Sequence, residues 1–115
     1  MLALNSYRFY LYHNGCDMRK SFDGLSGLVR NELDKDPLSG DVYIFFNKRR
    51  TMVKLLVWDL TGFSIFHKRL EAGTFGNFTL GSNPLSIEVR REELLMVLEG
   101  IELQNIRRRK RYISV

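Results

Sequence analysis

The sequence has few of the residues on which small catalytic or metal-binding domains depend. Its 115 residues include one cysteine, Cys16, and two histidines, His13 and His67. One cysteine excludes an intrachain disulfide, and without C-x-x-C or H-x-x-x-H spacing a structural zinc site is not expected. There is no G-x-S-x-G elbow and no Walker-type phosphate loop. These absences favour a domain that binds over one that catalyses.

Long apolar runs are absent as well. The longest, such as VYIFF (42–46) and LLVW (55–58), fall far below the roughly 18 residues needed to span a bilayer. The opening MLALNSYRFY lacks the basic and apolar segments of a secretion signal. We therefore expect a protein of the reducing cytoplasm with no membrane partner.

The net charge of +5 comes from one short segment. Residues 107–111 read RRRKR, and without them the chain has 13 basic residues against 13 acidic ones. The basic pI of about 9.6 therefore belongs to a tail, and only local clustering makes the remainder attractive to phosphate. We predict a single domain over 1–106 and a basic C-terminal tail over 107–115.

Hydrophobic periodicity predicts an α+β domain. Strands are predicted at 8–14, 41–46, 52–59, 63–70 and 85–89, and amphipathic helices at 21–33 and 91–98. The connections between the three central strands are so short that these strands must be antiparallel neighbours, which makes a β-meander. The predicted order is β-α-β-β-β-β-α around a mainly antiparallel sheet, with two helices. The segment 71–84 is predicted as a loop.

Both faces of the strand predicted at 52–59 are apolar. Its odd positions from 53 to 57 are aliphatic, and the alternate positions include Met52, Leu56 and Trp58. A sheet with one solvent-facing side would not show this pattern. Either helices cover both faces, or one face binds another protein. For the second alternative, the predicted partner-binding residues are Met52, Leu56 and Trp58.

Cationic clusters are the strongest functional signal. Each one alone is typical of a solvated turn or strand edge, but four clusters and a basic tail together favour a phosphate-binding surface. Lys54 stands out because it interrupts an apolar strand, where a lysine costs free energy unless it reaches solvent or pairs with a carboxylate. The predicted nucleic-acid-binding residues are Arg19, Lys20, Lys48, Arg49, Arg50, Lys54, Lys68, Arg69, Arg107, Arg108, Arg109, Lys110 and Arg111.

The segment DMRKSFDGL (17–25) has the polar density of an active site. Asp17, Asp23 and Asp59 would be the ligands of magnesium in a small metal-dependent nuclease, although nothing in their spacing requires one. The other interpretation is structural: Ser21 caps the following helix, and Asp23 stabilises its first turn. We favour the structural interpretation and predict no catalytic residue, metal or cofactor.

Four motifs, taken in order, resemble a known family. The chain is similar to the small accessory protein, the TnpB/Orf2-like product of the second open reading frame, of the IS sixty-six class of bacterial insertion sequences. The resemblance covers residues 17–103. This chain differs from the family pattern after Phe75, where it has GNF and the family usually has a tryptophan and a proline. Its basic tail is also longer than is typical of the family. The motifs are DMRKSFDGL (17–25), KLLVWDLTGF (54–63), KRLEAGTF (68–75) and LEGI (98–101).

The resemblance implies a non-catalytic role in transposition beside a separate, larger transposase in the bacterial cytoplasm. The implied partners are the DNA of the transposon ends, the transposase of the same element, or both, and a homodimer is a further option. Two alternatives stay open: the metal-dependent nuclease, and a protein–protein adaptor without affinity for nucleic acid.

Overall fold

The computed structural model describes residues 7–78 and 87–99 of the chain. The predicted α+β class and element order are confirmed. The basic tail and residues 79–84 of the predicted loop lie outside the described residues, so the domain boundary at residue 106 stays a prediction. The elements are β1 (Phe9–Tyr12), α1 (Phe22–Asn31), β2 (Val42–Phe46), β3 (Met52–Trp58), β4 (Phe63–Arg69), β5 (Glu88–Val89) and α2 (Arg91–Glu99).

Within the described residues, five strands form one sheet in the order β4-β3-β2-β1-β5. β2, β3 and β4 make the predicted antiparallel meander, and β5 is antiparallel to β1. β1 runs parallel to β2, a pairing that periodicity does not specify. The connection between them contains α1, because parallel neighbours need a crossover long enough to return the chain to the same end of the sheet.

Helix α1 covers one face of the sheet. Its residues Leu25 and Val29 are fully buried and form one core cluster with Tyr43, Phe45 and Leu56. Because side chains alternate along a strand, these β2 and β3 residues all project to the same side. We call this side the α1 face.

Helix α2 covers the opposite side, which we call the α2 face. Leu94 and Val97 of α2 are buried in a second cluster with Phe75, Ile44 and Leu55. The segment at 75–78 extends this layer, since Phe75 and Phe78 also pack against the β2 strand end. Of the two alternatives for the apolar strand, the structure has helices on both faces.

The position of Leu56 corrects its predicted role. The side chain is 0% exposed beneath α1, so it is a core residue and presents no surface to a partner. Met52 and Trp58 are half-buried at the two ends of β3. The Trp58 ring meets the edge of Phe63 at a centroid distance of 5.1 Å, which fixes the far end of the β3–β4 pair.

In the described part of the chain, no helix is both long enough and apolar enough to cross a membrane.

The substitution Leu56→Ala tests the burial of the α1 face. We expect it to lower the free energy of unfolding by about 2–5 kcal/mol, because it leaves a cavity in a closely packed core. The matched control is Leu60→Ala in the β3–β4 turn, where the side chain is 91% exposed, with an expected change below about 0.5 kcal/mol. Urea unfolding of both variants measures the difference. Similar small changes for the two would show that α1 does not cover Leu56.

Candidate nucleic-acid interface

The loop before α1 packs against the tip of the β2–β3 hairpin at 47–51. The Cys16 N–H donates to the Phe46 carbonyl at 2.8 Å. Gly15 lies so close to Lys48 that a Cβ atom at Gly15 would stand 3.0 Å from the Lys48 Cβ. A side chain at this position would crowd Lys48, so glycine favours this approach, and the dipeptide Asn14–Gly15, typical of turns, is the sequence signal for it. The loop and the hairpin tip form one surface at the same end of the sheet.

Lys54, on β3, anchors this loop to the sheet. Its side chain is only 8% exposed, and its ammonium donates to the carbonyls of Met18 at 2.8 Å and Lys20 at 2.7 Å. The sequence predicts that a lysine here reaches solvent or a carboxylate, but two backbone carbonyls satisfy it instead. Because the side chain is buried and two of its three N–H donors are used inside the fold, the prediction that Lys54 contacts nucleic acid is not supported by its position.

The start of α1 depends on the same contact. Ser21 occupies the predicted N-cap position, but its side chain makes no capping hydrogen bond. Asp23 lies in the first turn as predicted, where a negative charge suits the helix dipole. The bonds from Lys54 to the Met18 and Lys20 carbonyls fix the path of the chain into the helix, although an ammonium group cannot accept hydrogen bonds from the first N–H groups of α1 as a cap would.

The Arg50 side chain also makes its contacts within the fold. Its guanidinium donates to the carbonyls of Phe75, at 3.2 Å, and Gly76, and lies 4.2 Å from the centre of the Phe46 ring. In return the Phe75 N–H donates to the Arg50 carbonyl at 2.7 Å. Arg50 has a φ of +57°, a conformation that disfavours L-residues, and these contacts hold it there. This cation ties the 75–78 segment to the hairpin.

Lys68 stabilises the end of α2. Its ammonium donates to the Leu98 carbonyl at 2.8 Å. The last turn of α2 contains no basic residue of its own, and a cation near the carbonyl end of a helix interacts favourably with its dipole. Lys68 therefore has a structural role, on the α2 face.

Arg19 and Arg69 are exposed, but each is paired with a carboxylate two residues away. The Arg19–Asp17 distance is 2.7 Å and the Arg69–Glu71 distance is 2.9 Å. Hydrogen bonds from the Arg19 side chain and backbone lower the pKa of Asp17 to about 2, so its carboxylate is charged at neutral pH. Exposed ion pairs of this kind are weak, and a phosphate group can compete with the carboxylate for either arginine.

Three predicted cations are left for an external partner. In the described part of the chain, the side chains of Lys20, Lys48 and Arg49 are exposed and make no hydrogen bond or ion pair. All three lie on the loop and hairpin tip, and Arg69 is near them because it pairs with Met52 at the start of β3. The cations predicted at 107–111 lie outside the described residues.

The carboxylates of the nuclease alternative are separated. Asp17 lies in the loop beside the hairpin tip, whereas Asp59 follows β3 at its other end, about 20 Å away for a seven-residue strand. Within residues 7–78 and 87–99, no group of three or more His, Cys, Asp or Glu side chains is arranged to hold a metal ion. The positions of these carboxylates give the nuclease alternative no support.

The substitution Lys54→Met tests the structural role of the buried ammonium. We expect the free energy of unfolding to fall by about 2–4 kcal/mol, because charge-assisted hydrogen bonds are lost and two carbonyls lose their donor. Lys48→Met removes the same charge from the exposed tip and should change stability by less than about 0.5 kcal/mol. Chemical denaturation measures both, and an equal effect at the two positions would contradict this role.

Comparison with known proteins identifies the family. Residues 7–108 match the family described as IS66 Orf2 like protein. The "Uncharacterized protein y4jC" of Sinorhizobium fredii is 29% identical over 93 residues, which is 81% of this chain and 78% of that protein. From the same organism, "Uncharacterized protein y4hO" is 31% identical over 68 residues, 59% of each chain. No solved structure matches. The chain, with the four motifs in order, belongs to the IS66 Orf2-like family.

Proposed function

We propose that this chain is a non-catalytic accessory protein of insertion-sequence transposition that binds DNA phosphates through Lys20, Lys48 and Arg49. Membership of the IS66 Orf2-like family suggests the accessory role. The DNA contact rests on one observation: the loop and hairpin tip present these exposed cations without internal partners among the described residues.

The geometry of the hairpin tip supports the proposal. The Asn47 side-chain oxygen accepts hydrogen bonds from the N–H groups of Thr51 and Met52, both at 2.9 Å. Its amide also donates to the Thr51 hydroxyl at 2.9 Å. The turn that presents Lys48 and Arg49 is therefore held in place before a partner arrives, which reduces the entropy lost on binding.

Two further arginines, Arg19 and Arg69, lie on the same surface in ion pairs. Arg19 and Arg69 exchange their carboxylate partners for phosphate when DNA is close, which adds two guanidinium contacts without changing the net charge of the surface. Contacts to phosphate orient a protein on DNA but do not read its sequence. We therefore propose that the described domain contributes affinity and position, and that it acts beside the partner transposase of the same element.

The double substitution Lys48→Gln, Arg49→Gln tests the proposed contact. Each phosphate contact contributes about 0.9 to the slope of log affinity against log salt concentration, so the slope should become shallower by about two units. Fluorescence anisotropy with the full chain, using duplexes of the terminal repeat and of a scrambled sequence over a salt series, measures this change.

The matched control removes two exposed arginines from the opposite end of the sheet, Arg8→Gln and Arg30→Gln, and should leave the slope unchanged. Asp17→Asn keeps the side-chain shape, removes the negative charge that competes with phosphate for Arg19 and should increase the affinity. Equal losses in the two double variants would place the binding elsewhere, for example in the basic tail. No binding by the full chain would contradict the DNA contact and favour an adaptor of the transposase.

A further inference from the structure

Strand β4 forms a long edge of the sheet. Among the described residues, no strand pairs with its outer side. The opposite edge is β5, which has two residues and offers little to a partner, whereas β4 has seven residues in unbroken register with β3. Edges of this length are usually protected by proline, a bulge or charged side chains; β4 has no proline and no bulge, and its charged residues Lys68 and Arg69 lie only at its end. Its outer backbone groups are therefore free to extend the sheet.

The backbone groups that face outward can be assigned from the β3–β4 ladder. The Leu70 N–H donates to the Thr51 carbonyl at 2.8 Å. Because the direction of the backbone groups alternates along an antiparallel strand, the even-numbered residues of β4 also bond to β3. The residues whose N–H and C=O groups face the open edge are Phe63, Ile65, His67 and Arg69.

We propose that β4 pairs antiparallel with β4 of a second copy of this chain, with Phe66 at the two-fold axis. Phe66 then faces its own equivalent, Ile65 faces His67, and Phe63 faces Arg69. In this register every outward-facing residue of one strand meets an outward-facing residue of the other. A shift by two residues in either direction leaves one of them beyond the end of the partner strand.

The charge pattern of β4 favours this arrangement. Its second half contains His67, Lys68 and Arg69, whereas its first half is uncharged. Antiparallel self-pairing brings each cationic half against the uncharged half of the other copy. A parallel pair would align the cationic halves, and like charges directly opposite each other are destabilising.

Phe66 provides the apolar centre of the contact. Its side chain is 47% exposed and lines a groove of about 290 Å³ with Tyr7, Leu55 and Val57. Directly opposed residues that are not hydrogen-bonded to each other have Cα atoms about 4.5 Å apart, so the two Phe66 rings would cover one another. Burial, and then the charges of Lys54 and Arg69, lower the pKa of His67. Its neutral ring then buries no charge against Ile65.

A contact made by one strand pair lies at the small end of specific interfaces, where complexes are weak and transient. We therefore expect a reversible dimer that forms as the protein concentration rises from low micromolar to submillimolar. Sedimentation velocity of the full chain over this range measures it. A species that remains monomeric throughout would overturn the proposal.

Two glutamate variants test the register. Phe66→Glu places two like charges at the axis and should abolish the dimer, with the fold retained because the position is partly exposed. Ser64→Glu adds the same charge on the same face, but opposite Lys68 of the second copy, and should preserve or strengthen the dimer. Far-UV circular dichroism confirms that each variant is folded. Equal dissociation of both would contradict this register.

Disulfide cross-linking tests the same register independently. Phe66→Cys brings two thiols to a Cα separation within disulfide range, so mild oxidation should yield a covalent dimer. In Ser64→Cys the two thiols lie about 14 Å apart, four residues along the strand, and no cross-link is expected. The unmodified chain, in which Cys16 is buried, is the background control. Cross-linking of Ser64→Cys as readily as Phe66→Cys would contradict the proposed axis.

Discussion

The ammonium group of Lys54 is the interaction on which the basic end of the molecule depends. From the middle of an apolar strand it binds the carbonyls of Met18 and Lys20, and so draws the loop before α1 onto the sheet. The loop then meets the hairpin tip through Gly15 and Lys48. A buried cation is tolerated here because oxygen acceptors satisfy it, and these carbonyls in turn need a donor. The exposed cations of the loop and tip owe their common location to this contact together with the bond from the Cys16 N–H to the Phe46 carbonyl.

The sequence predicted the elements more completely than the roles of single residues. Periodicity reports which face of a strand or helix is buried, so the meander and both helices were predictable, as was the general basic character of this end. The parallel β1–β2 pair was not, since it depends on where α1 returns the chain. The hydrogen-bond partner of a cation is equally hard to predict, because it can be distant in the chain. Lys54 bonds to a residue 36 positions away, Lys68 to one 30 positions away and Arg50 to one 25 positions away. Within the sequence, these three resemble the free cations Lys48 and Arg49.

The proposals assign different regions to different partners. In the first proposal the loop and hairpin tip bind phosphate, and in the second the edge of β4 pairs with a second copy of the chain. Since β4 runs antiparallel to its equivalent in that pair, the two hairpin tips would lie at opposite ends of one continuous sheet. One dimer would then offer two phosphate-binding ends, an arrangement suited to holding two segments of DNA backbone beside a transposase.

Side-chain NMR tests most directly whether some cations stabilise the fold and others bind DNA. Lysine ammonium and arginine Nε–H signals of the full chain are followed while duplex DNA is added. The signals of Lys20, Lys48 and Arg49 should shift with DNA concentration, and those of Lys54, Lys68 and Arg50 should stay in place. Shifts at Lys54 with none at Lys48 and Arg49 would contradict the central claim.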